Sequence, residues 1–354
     1  MGIAIRGYAA RSSDMQLRLF GFERRSPRPD DVVIEVLYYG VCHSDLHGAR
    51  NNWGSAKYPM VPGHEIVGRV TAAGADVTRF AVGEYVGVGC MVDSCQACRP
   101  CRSGLEQYCD EGATSTYNNL DRHDGLRTYG GFSEQVVVGD RFVLKMPEGL
   151  DLKAAAPLLC AGITAYSPLR HWNAKPGSRV AVVGLGGLGH MALKFARAMG
   201  TDVTLITRTA GKEDDARTLG AHSVVVSTDG DQMAAVKGSF DLVIDTVPYK
   251  HDINPYVATL QTSGMLVMIG HFGVIEPPLN STALMMKRRT VAGSYIGGIR
   301  ETQEMLDFCG EHGIVCDIEM IDIQQIDAAF DRMLAADVKY RFVINMASLK
   351  NDAA

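Results

Sequence analysis

The sequence predicts an α/β protein in which a β-rich first half is joined to a parallel, doubly wound sheet, and three observations carry that reading. Up to about residue 150, short alternating segments are separated by Gly, Pro and Asp turns, the pattern of an antiparallel sandwich or barrel with long loops. After Pro176 strands alternate with helical segments, which is how a parallel sheet is wound. A chain of 354 residues is also long enough for two domains, each with its own core.

In the first half, DVVIEVLYYG (31–40), EIVGRVTAAG (65–74), EYVGVGCMV (84–92), GFSEQVVVG (131–139) and RFVLKM (141–146) read as strands. In the second, SRVAVVG (178–184) is a short buried strand, followed by a helix with Ala192, Phe195, Ala196 and Met199 at helical spacing and then by the strand DVTLIT (202–207). Further strands are expected in SVVVS, FDLVIDTV, GMLVMIG and TVAGSYIG. Residues 300–336 read as mainly helical, with Ile326, Phe330, Met333 and Leu334 on one face. The ending KYRFVINM is strand-like and is expected to return to the first domain.

The formal net charge of -5 argues against a nucleic-acid partner, which demands a basic face to neutralise phosphates. Lys287, Arg288 and Arg289 form the only dense basic run, read as a solvated turn. The N-terminal stretch lacks the apolar core of a signal peptide, and no apolar run is long enough to span a membrane. A cytoplasmic location is the expectation. In that reducing setting nine cysteines point to metal binding or catalysis rather than to a disulfide framework.

Between the first strand and helix of the second half lies GLGGLGH, with Gly184, Leu185, Gly186, Gly187, Leu188 and Gly189 ahead of His190. A bare glycine pattern is weak evidence. The order strand, glycines, amphipathic helix is that of a dinucleotide site, where a tight turn lets a pyrophosphate approach the helix N-terminus. At the end of the next strand, where a free ribose hydroxyl calls for Asp or Glu, stand Thr207, Arg208 and Thr209, with Lys212 close by. Hydroxyls and a guanidinium bind a 2′-phosphate, so NADP(H) is the expected cofactor.

Cys95, Cys98, Cys101 and Cys109 follow the spacing C-x2-C-x2-C-x7-C. Four thiolates leave a metal no open position, which suits structural zinc; an iron–sulfur cluster and unliganded core cysteines are the other readings. Two further stretches, GVCHSDLH and PGHEIVG, contribute Cys42, His43, Ser44, Asp45, His47, His64 and Glu65. Together with Cys160 in PLLCAGIT they contain the Cys, His and Cys of an open catalytic zinc.

These stretches, with the four-cysteine lobe, APLLCAGITAYSPL, GLGGLGHM, FDLVIDTVP and YRFVINM in the same order, resemble the zinc-dependent medium-chain alcohol dehydrogenases, most closely the NADP-dependent cinnamyl alcohol dehydrogenase branch. The resemblance implies a GroES-like β-rich catalytic domain over residues 1–158, a Rossmann NADP-binding domain over 159–297, and a C-terminal segment, 298–354, completing the catalytic domain. It implies two zinc ions per chain, one catalytic on Cys42, His64 and Cys160 with Glu65 as an occasional ligand, and one structural on the four-cysteine lobe. Asp45 would orient His64. A proton would pass through Ser44, the nicotinamide ribose hydroxyl and His47.

Thr164, Thr246, Gly270, Ser294, Tyr295 and Ile296 are carried over as further cofactor contacts. Trp53, Cys90, Met285, Met286, Tyr295 and Ile296 carry over as an apolar, adaptable pocket for aromatic or medium aliphatic aldehydes. The chain departs from the plant enzymes in having Asn52 where they carry Asp, and Thr207, Arg208 and Thr209 where they show serines. The implied activity is hydride transfer between NADP(H) and a primary alcohol or aldehyde, favouring aldehyde reduction, in a homodimer. The competing readings are a zinc-free enone or quinone reductase, against which Cys42, His64 and Cys160 speak, and a non-enzymatic NADPH-binding sensor.

Overall fold

Seven strands make the main sheet of the first unit, and the longest of them is Asp31–Gly40. Val32, Val33, Ile34 and Val36 are all buried, because this strand is paired antiparallel with Ile66–Ala73, Gln135–Gly139 and Arg341–Asn345 at different points along its length. A computed structural model describes residues 2–352. The chain divides into one unit made of the residues up to Cys160 and those from Gly297, and a second made of Ala161–Ile296.

The sheet order of the first unit is Ile318–Asp322, Arg341–Asn345, Asp31–Gly40, Ile66–Ala73, Tyr85–Val88, Leu144–Lys145, with Gln135–Gly139 also on Asp31–Gly40. The C-terminal strand sets Val343 opposite Gly40 and Ile344 opposite Tyr39, so the end of the chain reaches the segment that leads into Cys42. The stretch 300–336 is mainly helical, as expected, with one strand within it: Ile299–His312 ends at Gly313, which takes the left-handed conformation (φ 63°), and Ile318–Asp322 pairs in parallel with Arg341–Asn345. Two other expectations are corrected in this unit. Helix Ile326–Leu334 buries Ile326, Phe330 and Met333, whereas Leu334 is 50% exposed at its last turn. EYVGVGCMV is interrupted at Gly89–Cys90 into Tyr85–Val88 and Met91–Asp93.

The second unit is a six-stranded parallel sheet in the order Ser223–Val226, Asp202–Thr207, Arg179–Val183, Phe240–Asp245, Leu260–Met268, Thr290–Gly293. The order reverses between the first strand and the fourth, and ligands of such sheets bind outside the carboxyl ends at that point. Apolar runs fill the interior, with Ala181, Val183, Ile206, Phe240, Val243 and Leu266 in one cluster. The basic run is corrected in part. Arg289 turns inward and donates to the Ala283, Ala258 and Leu260 carbonyls, and burial lowers its pKa.

The carboxyl edge of Phe240–Asp245 is pinned by an ion pair. The fully buried Asp245 carboxylate accepts from the Val247 N–H at 3.1 Å and from His251 Nε2 at 3.0 Å, while His251 Nδ1 lies 2.6 Å from the Tyr249 carbonyl. Both ring nitrogens therefore face acceptors, which favours the imidazolium. The hydrogen bond to Asp245 accordingly raises the His251 pKa from its ordinary 6.5, although burial opposes it. A raised histidine pKa adds stability that is complete below the unfolded value and is lost as pH rises through the folded one. Unfolding free energies across the range above pH 6.5 are expected to fall more steeply in the wild type than in His251→Gln; equal slopes would contradict the pair.

Candidate metal centres and nucleotide loop

Two clusters of metal-ligating side chains form within the first unit: Cys42, His64, Glu65 and Cys160, and Cys95, Cys98, Cys101 and Cys109. In each, the ligand atoms lie within 4.8 Å of one another. Cys42 immediately precedes helix His43–Ala49, His64 and Glu65 lead into strand Ile66–Ala73, and Cys160 follows the short 3-10 turn Ala156–Leu159. Gly40 makes the approach possible, since a Cβ there would stand 2.2 Å from Glu65 Oε2 and 2.9 Å from the Pro157 nitrogen.

The first cluster fits a zinc ion. Cys42 Sγ and Cys160 Sγ are 3.9 Å apart, close to the ~3.8 Å that two thiolates bound at ~2.3 Å on a tetrahedral zinc would show, and far from a disulfide at ~2.05 Å. His64 Nδ1 faces Asp45 Oδ1 at 3.3 Å, and its Nε2 lies 4.0 Å from Glu65 Oε1. A carboxylate behind one ring nitrogen leaves the other free for a metal, the usual arrangement of a ligating histidine. The Cys160 thiol lowers the Cys42 pKa well below the ordinary range through its hydrogen bond, and the same contact raises Cys160. Burial is the largest single influence on His64 and opposes its charge, but Asp45, Cys90 and Cys42 together outweigh it and the net pKa is raised.

The other residues carried over onto this unit surround that cluster. Ser44 Oγ is 3.6 Å from Cys42 Sγ. His47 Nδ1 lies 2.9 Å from Asn52 Nδ2, and its ring is 5.6 Å from Trp53. An amide donor at Nδ1 makes that nitrogen an acceptor and puts the ring proton on Nε2. Cys90 is half-buried with its thiol 3.8 Å from the Leu159 carbonyl, and the neighbouring Cys160 lowers its pKa. Three residues here escape sequence reading. Tyr39 donates to Asp45, Tyr117 stacks on His64 at 5.7 Å and donates to the Ser44 carbonyl at 2.9 Å, and Arg341 pairs with Glu65. Of these only Arg341 left a signal, as a cation inside the apolar strand RFVIN.

The second cluster is a closed thiol set. Cys95 Sγ and Cys101 Sγ are 3.9 Å apart, and backbone N–H groups of Cys95, Cys98 and Asp110 point at sulfurs of Cys109, Cys95 and Cys98 at 3.3–3.5 Å. Donors of this kind, led by the Cys98 N–H, bring the Cys95 pKa down to about 7, while burial pushes Cys101 up to about 12. The lobe is fastened to helix Ile299–His312 by Arg300 on the Ser103 carbonyl (2.9 Å) and by the Ile299 N–H on Glu106 Oε2 (3.1 Å).

In the second unit Gly184 adopts φ 89° at the end of the first strand. A Cβ on Gly189 would meet the Gly184 carbonyl at 2.1 Å, whereas nothing lies within 4 Å of one on Gly186. The turn is tight on one side and open on the other, so the backbone can admit a pyrophosphate. Leu185 is buried, and its carbonyl accepts from Lys212 Nζ at 3.0 Å. Thr246 Oγ1 donates to the Val183 carbonyl at 2.7 Å, and the Gly270 N–H to the Asp245 carbonyl at 3.1 Å. Arg208 and Thr209 are exposed after strand Asp202–Thr207, but Thr207 itself is buried. Thr164 and Ile296 are also buried. The Ser294 N–H donates to the Met268 carbonyl at 3.1 Å, and Tyr295, Met285 and Met286 are exposed.

Comparison with known proteins yields consistent matches. Residues 28–148 match the alcohol dehydrogenase GroES-like domain family and residues 187–311 the zinc-binding dehydrogenase family. Aldehyde reductase YahK of Escherichia coli is 51% identical over 346 residues, covering 98% of this chain and 99% of that protein. Among solved structures, a cinnamyl alcohol dehydrogenase from Sorghum bicolor is similar with a TM-score of 0.92 and 45% identity, covering 98% of each chain. A cinnamyl alcohol dehydrogenase from Helicobacter pylori, complexed with NADP(H), has a TM-score of 0.91 and 40% identity, covering 98% of this chain and 99% of its own.

A buried ion pair adjoins the first cluster. Arg341 contacts both carboxylate oxygens of Glu65, with Oε2 at 2.6 Å, and donates to the Val41 carbonyl at 2.9 Å, with both side chains buried. Burial opposes the guanidinium charge, yet Glu65 raises the Arg341 pKa further. Arginine stays charged in proteins, so removing it strands a buried carboxylate. Arg341→Met is expected to cost about 3–5 kcal/mol in urea unfolding, and Arg341→Met with Glu65→Met much less than the sum of the two single variants. Additive losses would show that the residues are not coupled.

Proposed function

We infer the activity from the family to which the chain belongs, the zinc-dependent medium-chain alcohol dehydrogenases, in their NADP-dependent cinnamyl alcohol dehydrogenase branch. The chain is a zinc-dependent oxidoreductase that interconverts primary alcohols and aldehydes with NADP(H), favouring aldehyde reduction. The observation that carries the reading is the open Cys42–His64–Cys160 cluster in one unit together with the glycine loop of the other.

In the reductive direction an aldehyde, NADPH and a proton give a primary alcohol and NADP+. A zinc ion at the first cluster supplies the Lewis acid for the carbonyl oxygen, and NADPH supplies the hydride. Cys42, His64 and Cys160 would hold the metal, with Asp45 fixing the ring of His64. Glu65, beside them, is engaged by Arg341. Ser44 delivers the proton to the product oxygen, and His47 resupplies it from solvent, with Asn52 setting its tautomer. Trp53 and Cys90 of the first unit, and Met285, Met286, Tyr295 and Ile296 of the second, are the side chains carried over as apolar contacts for aromatic or medium aliphatic aldehydes.

The second cluster holds a structural zinc, giving two ions per chain. The Thr290–Gly293 strand is the last of its sheet, with no strand on its outer side among the described residues; Met285 and Met286, just before it, are 79% and 77% exposed. An unpaired strand edge next to exposed apolar side chains is a pairing surface, which supports a homodimer. Among the described residues no helix is long and apolar enough to cross a membrane, and we place the enzyme in the cytoplasm.

Two measurements test this reading. Metal analysis is expected to find about two zinc ions per chain, with Cys98→Ser losing one and being destabilised; one zinc in active wild type would overturn the structural site. With benzaldehyde or cinnamaldehyde, oxidation of NADPH should proceed with a higher kcat/KM than that of NADH. Arg208→Ala should weaken NADPH roughly ten- to hundred-fold, the worth of a charge-assisted hydrogen bond of about 1.5–3 kcal/mol, and barely affect NADH. Equal use of both cofactors by the wild type would contradict the assignment.

A further inference from the structure

We propose that Tyr39 is a positioning residue of the first metal centre, its one hydroxyl fixing both the carboxylate that orients His64 and the backbone that carries His64. The proposal rests on the reading of Cys42, His64 and Cys160 as zinc ligands. Tyr39 sits near the end of strand Asp31–Gly40 and is completely buried. Its hydroxyl donates to Asp45 Oδ2 at 2.5 Å and accepts from the His64 N–H at 3.1 Å. The same Asp45 oxygen accepts from the Cys42 N–H at 3.0 Å, while the other oxygen faces His64 Nδ1 at 3.3 Å. One phenol thus joins two chain segments, the one that carries Cys42 and the one that carries His64.

Packing alone does not account for this tyrosine. Its ring meets Phe132 edge-on with centroids 4.7 Å apart, a contact that a phenylalanine would make equally well. The hydroxyl is what a phenylalanine lacks. Without it Asp45 loses a charge-assisted bond and is freer to rotate, and the His64 N–H loses its acceptor in a place water does not reach. The imidazole is then less firmly held in the tautomer that leaves Nε2 for the metal. Loss of such an outer partner costs ten- to hundred-fold in metal affinity, whereas the four-cysteine lobe, which does not touch Tyr39, should be indifferent.

The test is chelator competition on the full-length protein, with absorption spectra of the cobalt(II)-substituted form as a second readout. Tyr39→Phe is expected to weaken zinc at one of two sites by about ten- to hundred-fold and to change the cobalt ligand-field bands. Phe132→Leu loosens the same packing but keeps the hydroxyl, and should leave both readouts unchanged. Asp45→Asn should reproduce the loss, and adding Tyr39→Phe to it should cost less than Tyr39→Phe does alone. An unaltered affinity and spectrum in Tyr39→Phe, an equal loss in Phe132→Leu, or additive losses with Asp45→Asn would each overturn the proposal. His64→Ala separates the two levels: if it loses the metal that Tyr39→Phe retains, only the proposal fails, and if it too keeps the metal, the zinc assignment fails with it.

Discussion

Four polar ligand side chains are gathered where water has little access, and the fold is arranged around satisfying them. Cys42, His64, Glu65 and Cys160 come from three stretches of the chain, and an unpartnered polar or charged group at such a site would cost several kcal/mol. Each therefore has a neighbour from elsewhere in the fold. Asp45 stands behind His64, Tyr39 behind Asp45, Arg341 behind Glu65, and the two sulfurs face each other at 3.9 Å. The return of the C-terminal strand to Asp31–Gly40 serves this purpose directly, because it delivers Arg341 to Glu65 across 276 positions of sequence.

The two cysteine-bearing clusters differ in make-up, one of four sulfurs and the other of two sulfurs, an imidazole and a carboxylate. In the lobe every ligand is a sulfur, three sulfurs face backbone N–H groups, and the loops are tied to the start of helix Ile299–His312. A set of that kind has no place for a substrate. In the first cluster the Glu65 carboxylate is held by Arg341, so a metal bound there by the two sulfurs and the imidazole would keep a position for a substrate oxygen.

Local pattern made much of this legible. Alternation marks Ile66–Ala73 and Gln135–Gly139, and the order of strand, glycines and helix marks the nucleotide loop. Close spacing brings the four cysteines of the lobe together. What was not legible is long-range. Tyr39 reads as one more aromatic residue in a strand, since its meaning depends on Asp45 and on His64, 25 positions away. The strand Ile318–Asp322 hides in a stretch read as helical because its identity comes from its neighbour Arg341–Asn345. Thr207, expected to offer its hydroxyl to a phosphate, is buried at the end of its strand, so the exposed Arg208 and Thr209 form the polar face there.

X-ray absorption at the zinc edge, on protein carrying its full metal complement, tests the account most directly. An open centre of two sulfurs, one imidazole and one solvent oxygen beside a closed centre of four sulfurs averages to about three sulfurs and one nitrogen or oxygen per zinc, with the sulfurs at about 2.3 Å and the lighter atoms at about 2.0–2.1 Å. A shell made of sulfur alone would leave no centre able to take a substrate oxygen, and would contradict the division between a holding and a reacting metal on which the account depends.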